Sequence, residues 1–239
     1  LMAYNLYKED VSSIYDPATA IEVYHNYTLL HDDLMDRADM RRGKTTVHKV
    51  WNDNTAILSG DAMLVLAYQY MAASSSEHLK EVMDLFSLTA LEICEGQQMD
   101  MNFESREDVK EEEYLEMIRL KTAVLLLDVY GDPAVFGKNI GGDILCNKKT
   151  YMLIKALERA DRDQLEGLNH WLSATSFCPE EKISAVTELY TQIGIKAVCE
   201  NKMREYYTRA MTSLGAVSVI EDKKSELKKL MKHLMYREM

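Results

Sequence analysis

Apolar side chains recur at three- and four-residue steps along most of the chain, which predicts a succession of long helices. Asp16-Pro17 supplies an N-cap followed by proline at the first helical position. Ala20, Val23, Tyr24, Tyr27, Leu30 and Leu34 then mark one face of the first long helix. Lys44 to Lys49 reads as a polar connection. Asn52-Asp53-Asn54 opens a second helix to about Ala73, apolar almost all round, which predicts full burial with Asp61 as a buried polar contact. Ser74-Ser75-Ser76 makes a turn. A third long helix runs through Leu79, Val82, Met83, Phe86, Ala90, Leu91 and Cys94 to an end at Gly96-Gln97-Gln98-Met99-Asp100. The acidic run Glu107 to Glu116 reads as a solvated helix face. Gly137 to Thr150 is rich in glycine and lysine, with Asp143 among them, and reads as a mobile loop suited to closing over an anion, or as an ordinary surface loop. The last third carries helical stripes broken near Gly167, Pro179, Gly194 and Gly215, a basic end and no evident chemistry.

Composition narrows the class. With 239 residues, 47% hydrophobic and 28% charged, the chain has ample material for a packed core. Only 3 prolines and 10 glycines interrupt it, which suits long helices. A net charge of -11 argues against nucleic acid or an anionic membrane as the main partner. The 4 cysteines are too far apart to pair as metal ligands, so reduced thiols in a cytoplasmic protein are expected. No apolar run reaches transmembrane length, and no signal peptide is visible.

The chemistry concentrates between Leu29 and Gly43. Asp32, Asp33, Asp36 and Asp39 are followed at once by Arg41, Arg42 and Gly43. On a helix Asp32 and Asp36 share a face, with Asp33 about 100° round. Acids near a helix C-terminus oppose its dipole and repel one another, so they cost stability unless a cation joins them. Mg²⁺ shared with a phosphate-bearing substrate suits such carboxylates, and the two arginines add fork-shaped phosphate recognition. The plainer alternative is a solvated acidic helix end followed by a basic turn. Glu22-Val-Tyr-His25 matches an E-x-x-H metal pattern, but no second copy occurs, and His25 reads as a core or substrate-facing histidine. Gln97 and Asp100, three apart, share a helix face.

Together these stretches resemble the trans-isoprenyl (polyprenyl) diphosphate synthase family, of the short-chain farnesyl or geranylgeranyl type. Asp32-Asp33-Leu-Met-Asp36 looks like the family's first aspartate-rich motif, and Arg41-Arg42-Gly43 like its sequel. His25 matches the upstream histidine, Gly96-Gln97-x-x-Asp100 the G-Q-x-x-D motif, and Lys121-Thr122 the K-T pair. Asp128 matches the last aspartate of the second aspartate-rich motif, and Lys138 and Lys148 the lysines after it. Two departures stand out. The family's G-K-x-x-R segment is not found before the first motif, and Val124 and Leu125 stand where two aspartates are usual.

The resemblance implies an all-α, single-domain antiparallel bundle around a central apolar cavity. On that reading residues 1–239 form one synthase domain that lacks an N-terminal segment and a segment between Lys121 and Asp128. It implies Mg²⁺ held by Asp32, Asp33, Asp36, Asp100 and Asp128. Arg41, Lys121, Lys138 and Lys148 would clamp an allylic diphosphate, and His25 and Arg42 would face isopentenyl diphosphate. Gln97, Thr122 and Lys121 would assist the reaction. Tyr27 and Thr28, below the aspartates, would set product length at C15 to C20. A homodimer is expected. A class I terpene cyclase and a non-catalytic helical subunit are the alternatives.

Overall fold

The computed structural model describes residues 1–75, 77–121 and 141–235. The described residues are mostly helical, as expected. They run α1 (Met2–Asn5), α2 (Tyr15–Met35), a two-stranded hairpin β1 (Met40–Arg41) and β2 (Lys44–Thr45), α3 (Val47–Val50), α4 (Asp53–Ala72), α5 (Leu79–Glu104) and α6 (Glu111–Lys121). After the undescribed stretch come α7 (Gly142–Leu145), α8 (Tyr151–Arg159), α9 (Arg162–Ser173), α10 (Pro179–Ile193), α11 (Ile195–Ala216) and α12 (Ser225–Met235). The chain divides into two compact units. One comprises Leu1–Thr89 with Leu214–His233, and the other Ala90–Ser213 with Leu234–Met239.

In the first unit α2 packs along α4. The face of α4 that is buried carries Ala56, Gly60, Ala67 and Met71, so mostly small side chains let the two helices approach closely. Tyr24 of α2 closes this core against the Phe86 ring, with centroids 5.3 Å apart and nearly perpendicular. The expectation that α4 is buried all round fails: Leu58 is 68% exposed and Val65 59%. Asp61 is likewise exposed, not a buried contact. A hydrophobic pattern does not by itself say which apolar faces are covered, and Leu58 and Val65 stand exposed among the described residues.

Helix boundaries also shift. Asp16 lies inside α2, because a 3-10 turn at Ser12–Ile14 starts the helix early and Ile14 takes the capping position. Asn52 does cap α4, accepting from the Thr55 N–H at 2.8 Å. α5 runs on past Gly96 to Glu104, and Gly167 sits inside α9. Gly194 ends α10 as a left-handed cap, φ 81°.

The second unit has the larger core. Its centre is α8, where Tyr151, Met152, Leu153, Ile154 and Ala156 are all buried, packed with Phe103, Tyr114, Met117, Leu168, Val186, Tyr190 and Ile195. Thr150 starts that helix by accepting from the Leu153 N–H. The acidic run of α6 is only partly a solvated face. Glu111 pairs with Lys155 and, at 3.3 Å, with Lys202, and Arg106 grips Glu113 at 2.7 Å. The Lys155 hydrogen bond is the main cause holding the Glu111 carboxyl below its ordinary pKa.

Candidate functional site

α2 carries its aspartates to its C-terminal end, where helix carbonyls already concentrate negative potential. Asp36 is the C-cap and keeps helical register, its N–H donating to the Asp32 carbonyl at 2.8 Å. The chain then reverses through Arg37, φ 53°, and enters the hairpin. Arg42 and Gly43 occupy its two-residue turn, both at positive φ (51° and 73°), which is the geometry that matches strand twist. What reads as a polar connection in sequence is therefore a tight hairpin plus the short α3. Thr46 fastens its exit, donating from Oγ1 to the Ala38 carbonyl at 2.6 Å.

The hairpin places Arg41 over the acids. Its Nε lies 2.8 and 2.7 Å from the two oxygens of Asp33, and its Nη2 lies 3.3 Å from Asp32 Oδ2. Asp33 is only 6% exposed. One guanidinium thus neutralises part of a cluster that would otherwise repel itself. A second support comes from α4. His31, just before Asp32, donates from Nε2 to the Ile57 carbonyl at 3.2 Å. A Cβ at Gly60 would fall 2.1 Å from that nitrogen, so the glycine makes room for the imidazole beside the motif.

The second unit builds a separate cluster. Asp100 of α5, 7% exposed, receives Lys121 Nζ at 2.5 Å and has Lys148 Nζ at 3.7 Å. Gly96 makes this possible. A Cβ there would lie 2.8 Å from Leu120 Cβ and 3.0 Å from the Lys121 backbone nitrogen, so only glycine lets the end of α6 close on α5. Asp100 thus has two ammoniums beside it, Lys121 and Lys148, whose charge suits the oxygens of a diphosphate; Asp100 itself is expected among the metal ligands. Beside it, Gln97 Nε2 is buried without a hydrogen-bond partner among the described residues, a donor ready for an acceptor oxygen.

Other expected residues fall as follows. His25 and Arg42 are exposed. Tyr27 is half-buried, its ring 5.4 Å from Tyr24 and 4.8 Å from His31. Thr28 turns its hydroxyl to the His25 carbonyl at 2.8 Å. Thr122, Val124, Leu125, Asp128 and Lys138 lie outside the described residues. Of the expected mobile loop, residues 141–150 are a short helix and a turn with Ile144 and Thr150 buried; residues 137–140 lie outside the described residues. Among the described residues no three His, Cys, Asp or Glu side chains form a metal-holding group by themselves. Two carboxylates sharing Mg²⁺ with substrate oxygens need no such cage, so Asp32 and Asp36 still fit the ion.

Sequence reading missed Lys182. It occupies the stripe shared with Val186 and Tyr190 on α10 and is 1% exposed. A lysine at four- and eight-residue spacing from buried apolar positions is the signal that would have found it.

Comparison with known proteins bears on the family. The sequence model of the polyprenyl synthetase family matches residues 1–127 and 126–190. A short chain isoprenyl diphosphate synthase of Methanocaldococcus jannaschii is 34% identical over 81% of this chain and 71% of its own. A geranylgeranyl pyrophosphate synthase of Geoglobus acetivorans is 33% identical over 87% of this chain and 76% of its own. The crystal structure of a geranylgeranyl pyrophosphate synthase superposes with a TM-score of 0.89 at 36% identity, covering 98% of this chain and 84% of that one. The aspartate-bearing helix end, the G-Q-x-x-D helix and these matches together show that the chain belongs to the polyprenyl synthetase family.

Proposed function

We propose that the protein is a magnesium-dependent trans-prenyltransferase that joins isopentenyl diphosphate head-to-tail to an allylic diphosphate, giving a short-chain prenyl diphosphate. The observation that carries this reading is the carboxylate end of α2 under Arg41, in a chain whose relatives include short-chain and geranylgeranyl synthases. The chain reads as one synthase domain. Its two family matches meet at residues 126–127, which supports a family segment being absent near there. Four free cysteines suit a cytoplasmic setting, and among the described residues no helix is long and apolar enough to cross a membrane.

In this reading Asp32 and Asp36 hold Mg²⁺ and Arg41 fixes Asp33 beside them. Asp128, outside the described residues, would add a further carboxylate. Bound there, Mg²⁺ would neutralise charge on the diphosphate as it leaves. Lys121 and Lys148, held by Asp100, offer ammoniums to diphosphate oxygens, joined by Lys138. Gln97 donates from its amide, and Thr122 completes this group. The C1–O bond of the allylic substrate breaks with its electrons going to diphosphate. The isopentenyl double bond attacks the allylic cation, and a proton then leaves to the released diphosphate. His25 and Arg42, exposed on the first unit, would receive isopentenyl diphosphate. Calorimetry with inorganic diphosphate tests the metal requirement: binding is expected with Mg²⁺ and not with chelator, and equal binding in both contradicts it.

Product length should depend on Tyr27. It stands five residues before Asp32, roughly 7.5 Å along the helix axis, with its ring braced by Tyr24 and His31. Tyr27→Ala is expected to extend the product distribution by at least one five-carbon unit, read by chromatography of the dephosphorylated alcohols. An unchanged distribution would place the limit elsewhere, with Met63 and Leu66 of α4 next.

The exposed apolar side chains of α4 and α5 fit a homodimer. Leu58 and Val65 on α4 and Leu85 and Leu88 on α5 repeat at helical spacing and are 58 to 68% exposed. Leu88→Glu is expected to shift the mass measured by light scattering from dimer towards monomer. A variant that stays dimeric would move the interface off this face.

A further inference from the structure

Lys182 is an ammonium taken almost wholly out of water, and among the described residues none of its hydrogen-bonding groups is a carboxylate. Nζ donates to Asn147 Oδ1 at 2.7 Å and to the Leu145 carbonyl at 3.4 Å, and it lies 4.2 Å from the centre of the Phe177 ring. Burial lowers its pKa from the ordinary lysine value. Three neutral partners return only part of the cost of desolvating a cation. As a contributor to stability alone, an apolar side chain of similar length would serve the stripe of α10 at least as well.

The groups it binds point to another role. Leu145 ends α7, so its carbonyl is one of those a helix leaves without an internal partner. Asn147 sits at φ 53°, a left-handed conformation that asparagine adopts more readily than other non-glycine residues and that fixes the direction of the turn. Its amide is held from both sides, because Nδ2 also donates to the Leu172 carbonyl at 2.9 Å. The next residue is Lys148. Its N–H donates to the Asp143 carbonyl at 2.9 Å, and its ammonium reaches towards Asp100. Release of the Asn147 amide would free this turn to relax, and Lys148 would move with it.

We infer that Lys182 is a positioning residue for the prenyl-transfer site, clamping the Asn147 turn so that the Lys148 ammonium is held against Asp100. This rests on the diphosphate-binding role proposed above for Lys148. Because the clamp acts through a neighbour, its loss should weaken diphosphate binding without removing a charge from the substrate's surroundings.

Lys182→Met in the full-length protein tests it. The KM for the allylic diphosphate is expected to rise about tenfold, with kcat changed less than twofold and the melting temperature level or higher, since a displacement of about 1 Å suffices for losses of this size. Mg²⁺-dependent binding of inorganic diphosphate should weaken by the same factor. Asn147→Ala, which cuts the same link while leaving Lys182 in place, should reproduce the KM rise and serves alone if Lys182→Met does not fold. The double variant should be no worse than the weaker single one. An unchanged KM in whichever of these variants folds, with a wild type that turns over normally, overturns the inference. A wild type that binds no diphosphate and transfers no prenyl group instead overturns the functional reading beneath it.

Discussion

Asp32→Ala is expected to lower turnover by about a thousandfold while leaving the fold intact. Asp32 and Asp36 share a helix face at the end of α2, where two carboxylates and the helix carbonyls all repel one another. A bound cation relieves this only when both acids remain to share it. The Arg41 Nη2 contact to Asp32 is the longer of its bonds, at 3.3 Å against 2.7 Å to Asp33. Removing Asp32 therefore gives up the longer of the Arg41 contacts together with a repulsion, and the melting temperature should fall less than on removing Asp33. Asp33→Ala should behave differently: it strands Arg41 and should cost stability as well as rate. Turnover of Asp32→Ala within tenfold of the parent, at an unchanged melting temperature, would remove α2 from the site.

Lys121→Met is the second large effect. Asp100 is buried, and Lys121 is its close partner, 2.5 Å away; Lys148 stands off at 3.7 Å. Leaving a buried carboxylate short of a partner costs about 3–5 kcal/mol, and the diphosphate loses one of its cations at the same time. We expect kcat/KM for the allylic substrate to fall about a hundredfold, accompanied by a lower melting temperature. Lys121→Met with Asp100→Asn separates the two causes, because it removes the stranded charge. Stability should return and activity should not. Recovery of both would make this pair structural.

The contrast between what the sequence discloses and what it hides follows from how each feature is encoded. The helix carrying Asp32 and Asp36 is legible because carboxylates at four-residue spacing need no tertiary knowledge to be placed on one face. The same holds for Gln97 and Asp100 on α5. Gly96 is different. Read locally, a glycine after an apolar stripe signals a helix end, yet α5 continues and the missing Cβ serves the approach of α6, a partner remote in sequence. The hairpin around Arg42-Gly43 escapes notice because strands of two residues carry no alternation to detect. Leu58 and Val65 look like core because hydrophobicity alone does not say whether a side chain is covered within the fold. Lys182 was hidden by expectation: a lone lysine in an amphipathic helix is read as solvated unless its exact register against Val186 and Tyr190 is counted.

Incubating the full-length protein with dimethylallyl diphosphate, labelled isopentenyl diphosphate and Mg²⁺ tests the central claim most directly. The account predicts label in prenyl diphosphates longer than the starting allyl, one inorganic diphosphate released for each isopentenyl unit consumed, and no transfer once the metal is chelated. Absence of labelled product with Mg²⁺ present, or diphosphate released with no isopentenyl unit consumed, would contradict it.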